Sequence, residues 1–385
     1  MASSTNQAIW AQNAAMDMVS LRHDLHQHPE LSFQEFRTQE VILQELRKIG
    51  LNGTKIANTG VVATILGNRP GKTVALRADM DALPMPDESQ LPYASINDGI
   101  CHACGHDAHI AILIGAAQTL MHDLDFAGQI RLVFQPAEEQ LPGGAQNVLA
   151  SGILDDVDAI FGLHVWQPLA FGQVATSKGA LMAAPDDFSL LIKGRGGHAS
   201  MPEMTIDPVV VAAHIVTALQ TLVSRYVSAN DQVVLSVTQM HTGTAMNVIP
   251  EWAQLQGTLR TLSPKIRDEF PKKMEQLATQ IAQAFGAQAK FTVTRGYPAL
   301  INNPSMAEFA LATAADLFGE AQAILSPPTM GGEDFAYYLE KIPGAFVWLG
   351  MGTPYPHHHP KFDARDDILY PGIRLLTELA LRFLE

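Results

Sequence analysis

Along the first half of the chain, apolar positions alternate between two rhythms. Residues 5–27 and 33–49 carry helical spacing, and 61–66 and 73–78 are short β-rich runs. A helix is expected over 107–122, a strand at 130–134, a helix near 143–151 and a strand at 159–165. The alternation returns after residue 296, with a helix over 304–319, the apolar run 345–349 and a final helix over 371–384. Strands alternating with helices predict an α/β layer on a mainly parallel sheet.

The middle of the chain has a different rhythm. A strand at 188–193 precedes Asp207-Pro208, an N-cap followed by proline at the first helical position. Val209, Ala212, Val216, Leu219 and Val223 then recur as one helical stripe. Strands are expected at 233–238 and 254–261. Ser263-Pro264 opens a second helix with the stripe Ile266, Phe270, Leu277, Ile281 and Phe285, closed by Gly286, and a strand at 289–294 follows. The order β-α-β-β-α-β is the ferredoxin-like split motif. Residues 186–295 therefore read as an inserted α+β domain that divides one α/β domain into 1–185 and 296–385.

Composition narrows the class. The 385 residues are 47% hydrophobic and 17% charged, which excludes disorder as the dominant state. The formal charge is −14 with no basic run, so neither nucleic acid nor an anionic membrane is an expected partner. No run approaches the roughly 18 continuous apolar residues of a membrane span. The first 25 residues lack the basic and apolar regions of a signal peptide, and two cysteines cannot build a disulfide framework. The expected setting is the cytoplasm. Fourteen histidines are many, and nine of them fall in the clusters 23–28, 102–109 and 357–359.

Four segments carry candidate chemistry. CHACGHDAH (101–109) places Cys104 and His106 two residues apart at a loop-to-helix junction, and thiolate and imidazole suit late first-row metals. Cys101 and Cys104 also have the spacing of a redox pair or half a structural zinc site, but no second cysteine pair exists. Glu138 and Glu139 follow an apolar strand, where α/β sheets collect ligands. Adjacent buried carboxylates are costly unless a cation relieves one of them, leaving the other to act as a general base. The bland reading is a solvated acidic loop. His164 ends another apolar strand, a position more often occupied by a core histidine. YPHHHPKFD (355–363) offers one further ligand. Together these exceed one tetrahedral zinc and suit two metals. Asp79 and Asp81 are candidate ligands or supports for a liganded imidazole. His198 lies in a glycine-rich loop, and Asn247 and Arg260 lie at strand edges, with Arg260 able to grip a carboxylate in bidentate fashion.

These segments together resemble the hippurate hydrolase, N-acyl-amino-acid amidohydrolase and auxin-conjugate hydrolase branch of the di-metal aminoacylase and carboxypeptidase superfamily. The resemblance runs from HDLHQHPELSFQE (23–35) through ALRADMDALP, HACGHDAH, QPAEE, GLHVW, GRGGHAS, NVIPE, GTLRT and GGEDF to HHPKFD (358–363). It implies a di-metal peptidase-like catalytic domain carrying an inserted dimerisation or lid domain. It implies two divalent ions (zinc, manganese, cobalt or nickel) held by Cys104, His106, Glu139, His164 and His358, the last selected by a His-x-Pro pattern. Glu138 would be the general base and proton donor. Asp79 stands where related branches place a metal-binding histidine, which leaves Asp81 as a supporting group; His109 is a further candidate support. His198 would reach a partner subunit's site to stabilise the oxyanion, and Asn247 and Arg260 would hold the substrate carboxylate. The implied reaction is hydrolysis of an N-acyl amino acid or short peptide. A non-catalytic metal-binding protein and a thiol redox protein using Cys101 and Cys104 are the competing classes. The resemblance gives Cys101, His23, His26 and His28 no role.

Overall fold

The apolar runs 74–78, 130–134, 159–165 and 345–349 lie side by side in one sheet of a computed structural model that describes residues 4–385. Residues 1–3 of the segment 1–185 lie outside the described residues. The sheet has eight strands, in the spatial order Thr54–Ile56, Gly60–Leu66, Ala127–Gln135, Arg69–Asp79, Ala159–Trp166, Gly344–Gly350, Val174–Thr176 and Ala323–Leu325. Its four central strands, Ala127–Gln135 to Gly344–Gly350, pair in parallel. Gly60–Leu66 joins one side and Val174–Thr176 the other in antiparallel fashion. The register sets Leu76 opposite Leu132 and Phe161, and Val347 opposite Leu163. Such near-continuous apolar runs mark strands buried on both faces.

The helices Ser4–Gln27, His106–Leu120 and Leu369–Leu384 pack with this sheet into one core that includes Ile110, Leu113, Leu375 and Leu379. All but one residue of His106–Leu120 are buried. An all-round apolar helix of this kind is a core helix. Its buried first turn carries polar groups into the interior at the carboxyl ends of the central strands.

The chain divides into two compact units. The first is Met1–Leu181 with Ile301–Pro327 and Asp334–Glu385, and the second is Met182–Leu300 with Pro328–Glu333. The second unit is therefore wider than the 186–295 read from sequence. Ala183 N–H donates to the Gly331 carbonyl at 2.9 Å, and Met182 bridges to Thr329. This short backbone pairing draws in 328–333 without leaving any periodic apolar signal.

Within the second unit, four antiparallel strands run in the order Val233–Thr242, Trp252–Thr261, Ala184–Lys193, Gln288–Thr294. That is the split βαββαβ arrangement. The helices Pro208–Arg225 and Pro264–Ala284 start where their caps predict, with Asp207 and Ser263 accepting from Val209 N–H and Ile266 N–H. Most of each predicted stripe faces the core: Ala212, Leu219 and Phe270 are buried, and Val216, Val223, Ile266 and Ile281 pack against it. Val211, Ala212, Ile215 and Leu219 are buried on the first, while Val209 is exposed. Phe270, Met274, Ala278 and Ala282 are buried on the second, while Phe285 is exposed. Both helices carry apolar residues on more than one side, and the alanines that allow close approach to the sheet weigh little in a hydrophobicity count.

Candidate metal centre

Four neighbouring parallel strands end at one place. Asp79 ends Arg69–Asp79, Glu138 and Glu139 follow Ala127–Gln135, His164 lies near the end of Ala159–Trp166, and His358 sits in the loop after Gly344–Gly350. Carboxyl ends of parallel strands are where such sheets place ligands. Cys104 and His106 arrive from the opposite direction, at the start of helix His106–Leu120. Gly105 between them has φ +93°, and a Cβ there would meet Val165 Cγ2 at 2.4 Å. Only glycine turns the chain this way against that strand.

The donor atoms converge. Those of Cys104, His106 and His164 lie within 4.8 Å of one another, as do those of Cys104, Glu139 and His358, and those of His106, Glu138 and Glu139. The ring orientations are fixed from behind. His106 Nδ1 donates to the Asp81 carbonyl at 2.8 Å, which turns Nε2 toward the other donors. That Nε2 is buried and has no hydrogen-bond partner. His164 Nδ1 donates to the Val165 carbonyl at 2.7 Å, and its Nε2 faces Cys104 Sγ at 3.3 Å. Glu139 Oε1, also buried without a hydrogen bond, faces His358 Nε2 at 3.2 Å. The backbone of His358 is held by the Ala103 carbonyl at 2.8 Å.

The triple histidine is thereby sorted. His357 donates from Nε2 to the Val165 carbonyl at 2.8 Å and stacks on Trp166. His359 stacks on Tyr355 and accepts from Lys361 N–H. His358, at φ +60°, is the one that joins the cluster.

Asp81 and His109 lie behind the donors. Asp81 Oδ1 accepts the Glu138 N–H and Oδ2 the Glu139 N–H, each at 2.9 Å. His109 accepts the Val165 N–H on Nε2 at 2.9 Å, so its proton sits on Nδ1, 2.5 Å from Asp79 Oδ1. Both of its nitrogens are used. Asp79 also accepts from Arg77 at 2.6 Å, and Arg77 bridges to Asp334, which accepts from Gln135 as well. Arg77 and Gln135 were not singled out from sequence, and Asp334 entered only as part of the motif GGEDF. An arginine inside the buried run VALRAD was the available signal, because a buried cation requires partners.

The electrostatics favour a cation. Burial alone would depress His106, but Asp79, Asp81 and Glu139 outweigh it and raise its pKa to about 10. Burial, together with Glu139, Glu138 and Asp79, pushes the Cys104 thiol well above the range of an exposed cysteine. Burial and the facing His109 and His357 rings hold His164 neutral, well below an ordinary histidine. A thiol, imidazoles and carboxylates, with His106 Nε2 and Glu139 Oε1 buried and without hydrogen-bond partners, form a donor set that fits divalent metals.

His198, Asn247 and Arg260 belong to the second unit. His198 pairs with Val248 in a two-stranded ladder, and Ala199 N–H donates to the Asn247 carbonyl at 3.0 Å, so His198 and Asn247 are neighbours. Arg260 lies on strand Trp252–Thr261, opposite Val234 and Pro185.

Comparison with known proteins gives a consistent answer. The chain is 42% identical over 371 residues to an N-acetylcysteine deacetylase of Bacillus subtilis, covering 96% of this chain and 97% of the relative. It is 37% identical over 376 residues to thermostable carboxypeptidase 2 of Saccharolobus solfataricus, covering 95% of each. A Bacillus subtilis crystal structure described as a dinuclear metal binding peptidase superposes with a TM-score of 0.87 at 38% identity, covering 97% of this chain and 99% of that one. Residues 75–382 match the family model of peptidase family M20/M25/M40, and the chain belongs to that family.

Proposed function

We propose that this protein is a metal-dependent amidohydrolase that cleaves N-acyl amino acids to a carboxylic acid and a free amino acid. The observation that carries the reading is the bare, buried Nε2 of His106 among the donors of Cys104, Glu138 and Glu139. The N-acetylcysteine deacetylase among its relatives supports the substrate class. Action on short peptides is the second reading, favoured by the carboxypeptidase relative.

Cys104, His106, Glu139, His164 and His358 would hold two divalent ions. When bound, these supply Lewis-acid polarisation of the amide carbonyl and lower the pKa of the attacking water. Mixed sulfur, nitrogen and oxygen donors accept zinc, manganese, cobalt or nickel. Glu138 takes the proton from the attacking water and returns it to the leaving amine nitrogen. The backbone clamp from Asp81 holds Glu138 in place for both transfers.

The second unit serves as a dimerisation domain in this reading. The edge strand Val233–Thr242 leaves Val234 and Met240 exposed, and helix Pro208–Arg225 leaves Val209 and Val210 exposed. Unpaired strand edges and exposed apolar side chains suit association with a second copy. His198 then contributes to the partner's site as a donor to the developing oxyanion, with Asn247 and Arg260 holding the substrate carboxylate. Both cysteines are free, in keeping with a cytoplasmic setting.

The test is a hydrolysis panel of N-acyl amino acids and dipeptides, run on chelator-stripped protein with each metal added back. Turnover of N-acyl amino acids only with metal supports the reading. Tight metal binding with no turnover across the panel overturns it.

A further inference from the structure

The segment 23–35 carries part of the family resemblance, yet the reaction assigns it nothing. Its last residues lie behind the loop that bears the two glutamates. Glu35 is fully buried and accepts the Ala137 N–H on Oε1 at 2.8 Å. Its Oε2 accepts from Thr59 Oγ1 at 2.6 Å. Ala137 has φ +53°, a conformation a non-glycine residue holds only when its surroundings impose it. The Ala137 carbonyl is fixed too, accepting from Gly144 N–H at 2.9 Å.

Three consecutive backbone N–H groups, those of Ala137, Glu138 and Glu139, thus end on buried carboxylates, the first on Glu35 and the next two on Asp81. The same segment reaches the second clamp, because Ser32 Oγ donates to Asp81 Oδ2 at 2.5 Å. Behind Glu35, Gln39 Nε2 donates to the carbonyls of Asn58 and Gly60 and so fixes the turn that presents Thr59. A buried carboxylate is costly to place for stability alone, and this one spends its oxygens on holding a strained residue beside the proposed base.

We propose that Glu35 is a positioning residue of the hydrolytic reaction, acting through Ala137 to aim the side chains of Glu138 and Glu139. The inference rests on the reading of Glu138 as the base. Loss of the Glu35 carboxylate lets Ala137 relax to negative φ and turns Glu138 and Glu139 away together. An acceptor oxygen at that place is what the loop needs, and the charge is secondary.

The test compares Glu35→Ala with Glu35→Gln in the full-length protein at saturating metal. Glu35→Ala should lower kcat by about 10–100-fold with KM changed less than about twofold. Glu35→Gln should recover most of kcat, because its amide oxygen still accepts the Ala137 N–H. Near-normal kcat in Glu35→Ala, or equal damage in both variants, overturns the proposal. If Glu35→Ala does not fold, Thr59→Val, which removes one partner of Glu35, should lower kcat several-fold, and unchanged kcat there counts against it. Should the wild type hydrolyse nothing on the panel, the function reading fails by itself. Positioning is then read from metal affinity by chelator competition. About tenfold weaker binding in Glu35→Ala with recovery in Glu35→Gln supports it, and equal affinities overturn it.

Discussion

Cys104 Sγ lies 3.3 Å from His164 Nε2. The proton of the imidazole is on Nδ1, held by the Val165 carbonyl, so the thiol donates to the ring. Burial and the carboxylates of Glu139, Glu138 and Asp79 keep that thiol protonated in the absence of a cation. A metal that takes both atoms as ligands must displace this proton.

Metal loading of chelator-stripped protein should therefore release a proton from Cys104. Titration in weakly buffered solution with a pH indicator measures it. Cys104→Ser should lower that release by about one proton, leaving the proton that His106 gives up, and weaken metal binding by at least about tenfold. Cys101→Ser should leave both intact, since Cys101 lies outside the three converging donor groups. If Cys101→Ser alone abolished the release, the assignment of the thiolate ligand would be wrong.

Glu138→Gln should lower kcat by about 10²–10⁴-fold, the usual contribution of a general acid–base group. Metal content by elemental analysis should stay at the wild-type ratio, because Glu139 remains to ligate. Loss of metal along with activity would instead make Glu138 a ligand.

The candidate donors could be picked out before folding because they stand at element ends. His164 closes an apolar run, Glu138 and Glu139 follow one, and Cys104 and His106 stand at the start of a helix, so periodicity alone put them at the ends of elements. What could not be read were the partners that aim them. Glu35 meets Ala137 across 102 residues of sequence, and Gln135 meets Asp334 across 199. No local pattern encodes such pairings. The choice among three successive histidines was likewise invisible to periodicity, since it depends on Trp166 stacking under His357 and on the positive φ of His358. In the second unit the caps and most of each helix stripe were legible, while Ala278 and Ala282 were not, because alanine packs closely there without registering as strongly apolar.

Asp79 holds His109 on one oxygen and Arg77 on the other. Asp79→Asn keeps the shape and loses the charge. It should weaken metal binding by about 10–100-fold through the loosened histidine array. It should also destabilise the fold by about 3 kcal/mol, since the fully buried Arg77 loses one of its charged partners. Chelator competition and urea melts separate the two effects. Unchanged metal affinity would sever Asp79 from the metal centre.

Away from that centre, His26 lies between Asp107, at 2.9 Å from Nδ1, and Asp87, at 3.4 Å from Nε2. Burial opposes its charge, but these carboxylates win and raise its pKa to about 9. The folded value exceeds the ordinary histidine value of about 6.5, so folding favours the protonated ring. This stability is fully present below pH about 6.5, declines as pH rises and is gone above pH about 9. Its size is on the order of 3 kcal/mol. Urea melts at intervals across that range should show the decline, and His26→Gln should flatten it. An equally steep decline in His26→Gln would assign the pH dependence to other groups.

His198 supplies the last test, because its ring is already set as a donor. Ser200 N–H donates to His198 Nδ1 at 3.2 Å, which places the proton of the neutral ring on Nε2. A donor of that kind stabilises an oxyanion only in the site it reaches, and the proposed site is the partner subunit's. Glu138→Ala and His198→Ala should each be inactive alone. After subunit exchange, half the dimers are mixed, and one of the two sites in each has both Glu138 and His198 intact. Mixing should therefore restore about a quarter of the wild-type rate. Size exclusion with differently tagged variants verifies the exchange. No recovery after verified exchange would confine His198 to its own subunit or remove it from the reaction.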